Sequence, residues 1–290
     1  MPSPQFPAPR LPRWLKRNVP KGSAGHFTAR LIDSLALNTV CEHARCPNRM
    51  ECYSQRTATF MILGDVCTRR CRFCSVATGR PGPVDEDEPR RVAAAARKLG
   101  LEHVVVTCVT RDDLPDGGAE HFCRTMAAVR EACPGATIEV LPSDFAGNAD
   151  AVDRLAAAAP EVYNHNTETV PRLYRAVRSP RSSYRWTLDM FRRIGRAGPG
   201  IQLKTGLMLG LGEPVDELLD TLADLHDAGC RLLTLGQYLQ PSPAQMPVVR
   251  YVPPDEFDRL GRAARQIGYT QVAAGPFVRS SYHAREMVGD

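Results

Sequence analysis

Apolar runs alternate with amphipathic segments from residue 58 almost to the end of the chain, and the run at 102–109 is rich in β-branched residues. The apolar runs predict buried strands at 58–66, 102–109, 137–141, 161–166, 202–209, 231–238 and 269–274. The segments between them have helical spacing and fall at 89–99, 118–132, 149–158, 170–177, 184–197, 215–228 and 254–267. Regular alternation of strand and helix predicts a parallel sheet with crossover helices.

Six or seven such repeats favour an α/β fold of the partial (β/α)6 TIM-like barrel type over an open doubly wound sheet. We expect a barrel over 58–268, an N-terminal extension over 1–57 and a C-terminal extension over 269–290. Six prolines in the first 20 residues exclude a long helix there and predict an extended arm. A short helix is expected at 29–37.

Polar segments follow the predicted strands, and in parallel barrels the chemistry gathers at these strand ends. Gly117 and Gly118 follow the second strand, where glycine lets the backbone approach a ligand such as the amino group of an amino acid. Asp112, Asp113 and Asp116 suit a turn that caps the next helix, and a magnesium site is the less favoured alternative. The other polar segments lie at 142–144, 164–168, 210–213 and 237–242, and the last includes Gln240.

Asn164, Asn166 and Glu168 alternate along the fourth strand end and therefore face one side of an extended segment. Burying two amides and a carboxylate without partners is costly, so a ribose or amino-acid ligand is expected there. A solvated strand end is the alternative, and His165 points the other way. Lys204 lies inside an apolar strand and needs a buried partner, such as the carboxylate of a substrate or cofactor.

Charge and composition exclude several classes of protein. The net charge of +5 is spread over the chain, so we expect no nucleic-acid partner, although an acidic protein partner suits it. No run approaches the roughly 20 apolar residues of a membrane span, and no signal-peptide pattern is present. Six of the ten cysteines fall between Cys41 and Cys74, which in a reducing cytoplasm indicates metal binding rather than disulfides.

Cys67, Cys71 and Cys74 have the spacing C-x3-C-x2-C, with Phe73 before the last cysteine. Structural zinc sites use four closed ligands, commonly in paired knuckles, and this run has no fourth. Compact cysteine runs do hold iron–sulfur clusters. Three thiolates leave one iron of a cubane open, which indicates chemistry on a bound ligand. Surface thiols or a partial zinc knuckle are the alternatives.

Cys41, Cys46 and Cys52 form a second set with the spacing C-x4-C-x5-C. Two sets of three cysteines within 34 residues are hard to attribute to chance. A structural zinc site completed by His43 is the alternative, because three cysteines and one histidine are a known zinc combination.

The chain resembles the lipoyl synthase family of the radical S-adenosylmethionine (SAM) superfamily from about residue 12 to 285. The C-x3-C-x2-C loop alone indicates only the superfamily, and its combination with the upstream set and the ending Arg279-Ser-Ser-Tyr-His-Ala284 is specific. The resemblance implies that Cys67, Cys71 and Cys74 hold a 4Fe–4S cluster that binds SAM. It also implies an auxiliary 4Fe–4S cluster, whose ligands would be Cys41, Cys46, Cys52 and a serine of the C-terminal motif. We assign this serine as Ser281 rather than Ser280.

The implied activity is insertion of two sulfur atoms, at C6 and C8, into an octanoyl group on a lysine of a lipoyl-carrier protein or domain. The sulfur comes from the auxiliary cluster, and an electron donor such as flavodoxin or ferredoxin is expected. A cytoplasmic location is favoured over the mitochondrial matrix, because the arm lacks a helical transit pattern. The rival hypotheses are another sulfur-inserting or thioether-forming radical SAM enzyme and a cluster- or zinc-binding module without catalysis.

Overall fold

The computed structural model describes residues 10–16 and 24–288. Over these residues an eight-stranded sheet is assembled in the order β1-β2-β5-β6-β7-β8-β9-β10, and β3 and β4 form a separate parallel pair. The ten strands in chain order are β1 Asn38–Thr39, β2 Thr59–Ile62, β3 Val66–Cys67, β4 Ala77–Thr78, β5 His103–Cys108, β6 Thr137–Leu141, β7 Val162–Asn164, β8 Gln202–Leu209, β9 Leu232–Gln237 and β10 Gln271–Gly275.

Helices connect the parallel strands and cover the outside of the sheet. The α-helices of the described residues are α1 Ala24–Ser34, α2 Val40–His43, α3 Arg49–Ser54, α4 Glu88–Leu99, α5 Ala119–Ala132, α6 Ala149–Ala157, α7 Tyr174–Val177, α8 Tyr184–Ala197, α9 Val215–Asp227 and α10 Pro254–Ile267. Each of the strands β2, β5, β6, β7, β8 and β9 is followed by a helix of this set, and β10 adds a seventh parallel strand. The predicted partial (β/α)6 barrel is confirmed.

Two features differ from the prediction. The sheet carries an antiparallel edge strand, β1, in which Asn38 pairs with Met61, so the N-terminal extension joins the sheet itself. The predicted helix at 29–37 begins earlier, at Ala24, and ends at Ser34. The rest of the predicted extended arm falls largely on residues 1–9 and 17–23, which lie outside the described residues.

Alternation along the strands separates the packed outer face of the sheet from the barrel interior. Phe60, Ile62, Val104 and Val106 are completely buried and belong to the main core. The intervening positions point inward and form layers, since the register places Met61 beside Thr107 and the two strands run parallel.

A buried charged layer closes the amino-terminal half of the barrel interior. Lys204 Nζ lies 3.0 and 2.9 Å from the two carboxylate oxygens of Glu139. Asn164 Nδ2 donates to Glu139 at 2.7 Å, and His103 Nε2 lies 3.3 Å from the same carboxylate. Lys204, Glu139 and Asn164 have no exposed surface. Above this layer the interior opens into a cavity.

Candidate functional site

The cavity lies at the carboxyl ends of the parallel strands and has a volume of about 520 Å³. Its wall includes both sets of three cysteines and both serines of the C-terminal extension, which are Cys41, Cys46, Cys52, Cys67, Cys71, Cys74, Ser280 and Ser281. Inward strand residues such as Met61, Gly206 and Thr234 form its floor. Residues more than 200 positions apart in the chain therefore border one cavity.

Two short helices and a turn bring the first three cysteines together. Cys41 lies on α2 and Cys52 on α3, and between them Arg45 adopts a left-handed φ of 50°. This turn lets Cys46 N donate to Cys41 O at 3.1 Å. Asn48, just before α3, donates from Nδ2 to Phe277 O at 2.7 Å. That bond joins the cysteine segment to the C-terminal extension.

The loop from Cys67 to Cys74 is held by Arg69, which is buried. Its guanidinium makes two 2.8 Å bonds to Asp112 and a 2.7 Å ion pair with Asp144, and these carboxylates follow β5 and β6. Hydrogen bonds to charged groups are among the stronger ones in proteins, and a bidentate pair also fixes orientation. Arg69 therefore fixes the cysteine loop to two neighbouring strand ends.

Burial raises the pKa of the thiols of Cys41, Cys52, Cys71 and Cys74, which bears on whether the ligand sets suit a cationic group. Burial, followed by the charges of Cys41 and Cys46, raises the pKa of Cys52 to about 12. Burial, followed by Cys71 and Cys67, raises the pKa of Cys74 to about 12. Thiolates this close to one another, and removed from water, need a positive partner to form. The donor sets therefore suit a cationic metal centre, and iron–sulfur clusters are among those that thiolates hold.

The C-terminal extension packs against both the barrel and the N-terminal extension. Tyr282 OH donates to Glu51 Oε1 at 2.9 Å. Asn166 Nδ2 donates to Ser280 Oγ at 3.2 Å, so the hydroxyl of Ser280 already accepts a bond from the barrel. Ser281 borders the cavity, and among the described residues its hydroxyl has no hydrogen-bond partner. This arrangement fits a serine oxygen ligand at Ser281 better than at Ser280.

A polar recess lies beside Cys71 and consists of Asn166, Glu168 and Arg178, with His165 at its edge. Burial raises the pKa of the Glu168 carboxyl, although Arg178 and the Asn166 amide oppose the rise. Arg178 Nη1 donates to Asn166 O at 2.6 Å, whereas its Nε and Asn166 Oδ1 are buried without a partner among the described residues. These unpaired atoms suit a charged ligand.

The sequence profile of the radical SAM superfamily matches residues 61–225. The chain is 59% identical over 279 residues to lipoyl synthase of Rhodopirellula baltica, covering 96% of this chain and 88% of that protein. It is 50% identical to lipoyl synthase of Caldanaerobacter subterraneus, covering 95% of this chain and 96% of that protein. The chain belongs to the lipoyl synthase family.

Solved structures support the fold of this lipoyl synthase family member. HydG, a maturase of the FeFe-hydrogenase, aligns with a TM-score of 0.59 at 15% identity, over 73% of this chain and 50% of that one. SuiB of Streptococcus suis bound to S-adenosylmethionine aligns with a TM-score of 0.54 at 11% identity, over 78% of this chain and 53% of that one. At such identities the likeness concerns the fold alone.

Four of the site residues predicted for this lipoyl synthase family member do not border the cavity. Lys204 and Asn164 were expected to contact a ligand, but both contact Glu139 in the charged layer. On β8, the next inward position after Lys204 is Gly206, about 6.6 Å further along the strand, and Gly206 borders the cavity. Lys204 thus has the buried partner that the sequence requires, and that partner is a protein carboxylate.

Gly117 and Gly118 also lie away from the large cavity, and Gly117 borders a smaller one. Gly118 has a φ of 93°, and a Cβ there would collide with the Leu63 side chain, so glycine is required for backbone conformation and packing. Asp116 caps this turn, because its carboxylate accepts from Gly118 N and Glu120 N at 2.9 and 2.8 Å. The turn interpretation fits better than a magnesium site.

The other candidates, Phe73, Gln240, Asn166 and Glu168, border the cavity of this lipoyl synthase family member. His165, expected to point away, borders it too, and burial followed by Arg178 lowers its pKa to about 4. His43 does not border it, and its Nε2 lies 3.2 Å from Asn38 Oδ1.

Sequence reasoning missed Arg69 and Arg178. Arg69 lies between Cys67 and Cys71, so its place within the cysteine motif could have identified it. Its positive charge alone could not, because arginines are frequent in this chain. Arg178 follows a short helix in a segment with several arginines, and nothing local separates it from its neighbours. In the described part of the chain, no helix has the length and apolar character to cross a membrane.

Proposed function

We propose that this protein is a lipoyl synthase, which inserts two sulfur atoms at C6 and C8 of an octanoyl group carried on a protein lysine. The observation that carries the proposal is the shared cavity, which both cysteine sets and the terminal serines border. A chain 59% identical to a lipoyl synthase over 96% of its length supports the same activity. A binding module does not require two ligand sets to border one cavity.

The ligands divide into two sets within the proposed three-part chain of residues 1–57, 58–268 and 269–290. One 4Fe–4S cluster is held by Cys67, Cys71 and Cys74, and three ligands leave an iron for SAM. The auxiliary 4Fe–4S cluster is held by Cys41, Cys46, Cys52 and Ser281. The hydroxyl oxygen of serine is a harder and weaker iron ligand than thiolate, so this position releases iron more readily.

The C6 and C8 hydrogens belong to unactivated alkane carbons, so no side-chain base can remove them. When bound, SAM and the two clusters supply the radical that abstracts each hydrogen and the sulfur that replaces it. The protein positions the chain and excludes water. The apolar wall around Met61, Leu141 and Met208 is suited to an octanoyl chain.

The polar recess holds the amino-acid end of SAM. Arg178 presents a partly buried cation for the carboxylate of SAM, and the Glu168 carboxylate is available to the ammonium or ribose hydroxyls of SAM. Asn166 and Gln240 offer amides, and Phe73 an aromatic surface, along the same wall. These are polar groups whose burial is costly without a ligand.

The partners follow from this activity. The substrate is an octanoylated lipoyl-carrier protein or domain, and a flavodoxin or ferredoxin supplies electrons. We place the reaction in the cytoplasm, without a nucleic-acid or membrane partner. The surplus of positive charge suits an acidic carrier protein.

The test compares three cysteine variants after anaerobic reconstitution. Iron and sulfide are counted, and 5′-deoxyadenosine and thiolated octanoyl-lysine peptide are quantified by mass spectrometry. Cys71→Ala is expected to abolish deoxyadenosine formation. Cys46→Ala is expected to retain SAM cleavage and make no thiolated product. Cys123→Ala, on α5 away from the cavity, is the matched control and keeps both activities.

Deoxyadenosine from Cys71→Ala would remove this residue from the first cluster. Thiolated product from Cys46→Ala would refute the sulfur-donor assignment. SAM cleavage by the wild-type protein with no reaction on octanoyl-lysine would favour a related radical SAM enzyme that modifies another substrate. Zinc in place of iron, without turnover, would favour the binding module.

A further inference from the structure

The two adjacent serines of the C-terminal extension have different surroundings. Ser280 Oγ accepts a hydrogen bond from Asn166 Nδ2 at 3.2 Å, across 114 residues of sequence. Ser281 borders the same cavity, but its hydroxyl makes no hydrogen bond within the described residues. One serine is therefore fixed to the barrel, and its neighbour is presented to the cavity.

Asn166 also belongs to the polar recess. Its backbone carbonyl accepts from Arg178 Nη1 at 2.6 Å, and its amide opposes the rise in the pKa of the Glu168 carboxyl that burial causes. Its Oδ1 is buried without a partner among the described residues. A ligand that binds Glu168 and Arg178 therefore also affects Asn166, whose amide donates to Ser280.

The residues on either side of Ser280 and Ser281 are hydrogen-bonded to the N-terminal extension. Phe277 O accepts from Asn48, and Tyr282 OH donates to Glu51. These two bonds connect the segment to Asn48 and to α3, the helix that carries Cys52. The bond between Ser280 and Asn166 is a separate connection, which joins the C-terminal extension to the polar recess of the barrel.

We propose that Ser280 is a positioning residue which, through Asn166, couples occupancy of the SAM recess to the placement of Ser281. The inference rests on the proposed function, because it takes SAM as the ligand of the recess and Ser281 as a cluster ligand. When SAM orders Asn166, the amide fixes Ser280, and the adjacent Ser281 is held in position. When the recess empties, Ser281 is released to move. Sulfur donation is thereby linked to the presence of SAM.

Coupling between two sites is reciprocal, so its size can be measured from either side. One neutral hydrogen bond contributes enough to shift an equilibrium about 5-fold. SAM is therefore expected to slow hydrogen exchange in the segment 276–287 about 5-fold, and loss of the bond is expected to weaken SAM binding by the same factor.

The experiment uses the oxidised holoenzyme without reductant, so that SAM binds and is not cleaved. Exchange of the segment 276–287 is followed by mass spectrometry with and without SAM, together with the Kd for SAM and the iron content. Ser280→Ala is expected to keep its iron and to lose the SAM-dependent slowing. Ser280→Thr retains the hydroxyl and restores it. Ser34→Ala, which removes a hydroxyl bonded within α1, is the control and behaves as wild type.

Equal slowing by SAM in Ser280→Ala and wild type would overturn the proposal. Loss of auxiliary iron in Ser280→Ala, with retention in Ser281→Ala, would also overturn it by making Ser280 the ligand. Failure of the wild-type protein to bind SAM at all would instead refute the proposed function. The two failures are therefore distinct, because the first requires normal SAM binding by the wild type.

Discussion

Substituting Lys204 with methionine separates a binding role for this residue from a structural one. The ammonium lies 3.0 and 2.9 Å from the Glu139 oxygens, and both side chains are completely buried. Methionine is close to lysine in length and removes only the charge and the donors. The Glu139 carboxylate then remains inside the barrel with Asn164 and His103 as its neighbours.

Removing one partner of a buried ion pair lowers the free energy of unfolding by about 3–5 kcal/mol, because the other charge is left without compensation. For a chain of this size that corresponds to a fall in Tm of roughly 6–20 °C. The double variant Lys204→Met/Glu139→Gln removes both charges and keeps an acceptor for the Asn164 amide. Its loss of stability is expected to be less than half that of the single variant.

The pH dependence gives a second signature. Burial raises the pKa of Glu139, but the Lys204 ammonium and then His103 and Asn164 outweigh it and hold the pKa below its ordinary value. In the wild type, this carboxylate therefore stabilises the fold above the ordinary glutamate pKa of about 4.3, and the contribution is lost as the pH falls through the folded-state pKa. In Lys204→Met burial dominates, the pKa rises, and stability is instead lost as the pH increases.

Thermal unfolding followed by circular dichroism at pH 5 and pH 7, together with the Kd for SAM, measures both effects. We expect a large fall in Tm at pH 7, a smaller one at pH 5 and an unchanged affinity for SAM. An unchanged Tm with weaker SAM binding would refute the reasoning, and would return Lys204 to the role of a cofactor ligand.

Three further substitutions test the site. Arg178→Gln is expected to raise KM for SAM roughly 10- to 100-fold through loss of a charged hydrogen bond, and an unchanged KM would exclude Arg178 from the recess. Ser281→Ala is expected to retain SAM cleavage and lose most thiolated product; full activity would remove Ser281 as a ligand. His43→Ala is expected to retain the auxiliary iron, since its Nε2 faces Asn38, and loss of metal would support the zinc alternative.

The barrel was predictable because its strands are short apolar runs bounded by turn residues, and periodicity marks such runs directly. The strand β8 and the helix α8 occupy the predicted ranges, 202–209 and 184–197. The edge strand β1 was missed, since two residues, Asn38 and Thr39, carry no periodic pattern. The early start of α1 was missed because preceding prolines indicated an extended chain.

The two cysteine sets could be recognised from the sequence, because their spacing is local, and the structure brings both sets to the cavity. Long-range contacts could not be recognised in this way. Lys204 was expected to need a partner, yet Glu139 lies 65 residues away, and the sequence cannot distinguish a protein carboxylate from that of a cofactor. Alternation predicts the inward face of a strand but not the depth at which a cavity begins. This is why Gly206 borders the cavity and Asn164 does not.

The contact between the two extensions constrains the order in which the molecule can be assembled. Asn48 meets Phe277 across 229 residues, and closing a flexible loop of that length costs roughly 5 kcal/mol in chain entropy. Most of this cost is removed if the barrel forms first, because its strands pair over much shorter separations. During synthesis, the N-terminal cysteines emerge long before Ser281. A cluster built on them early would meet three thiols and no hydroxyl, so the proposed ligand set with Ser281 is complete only on an already folded barrel.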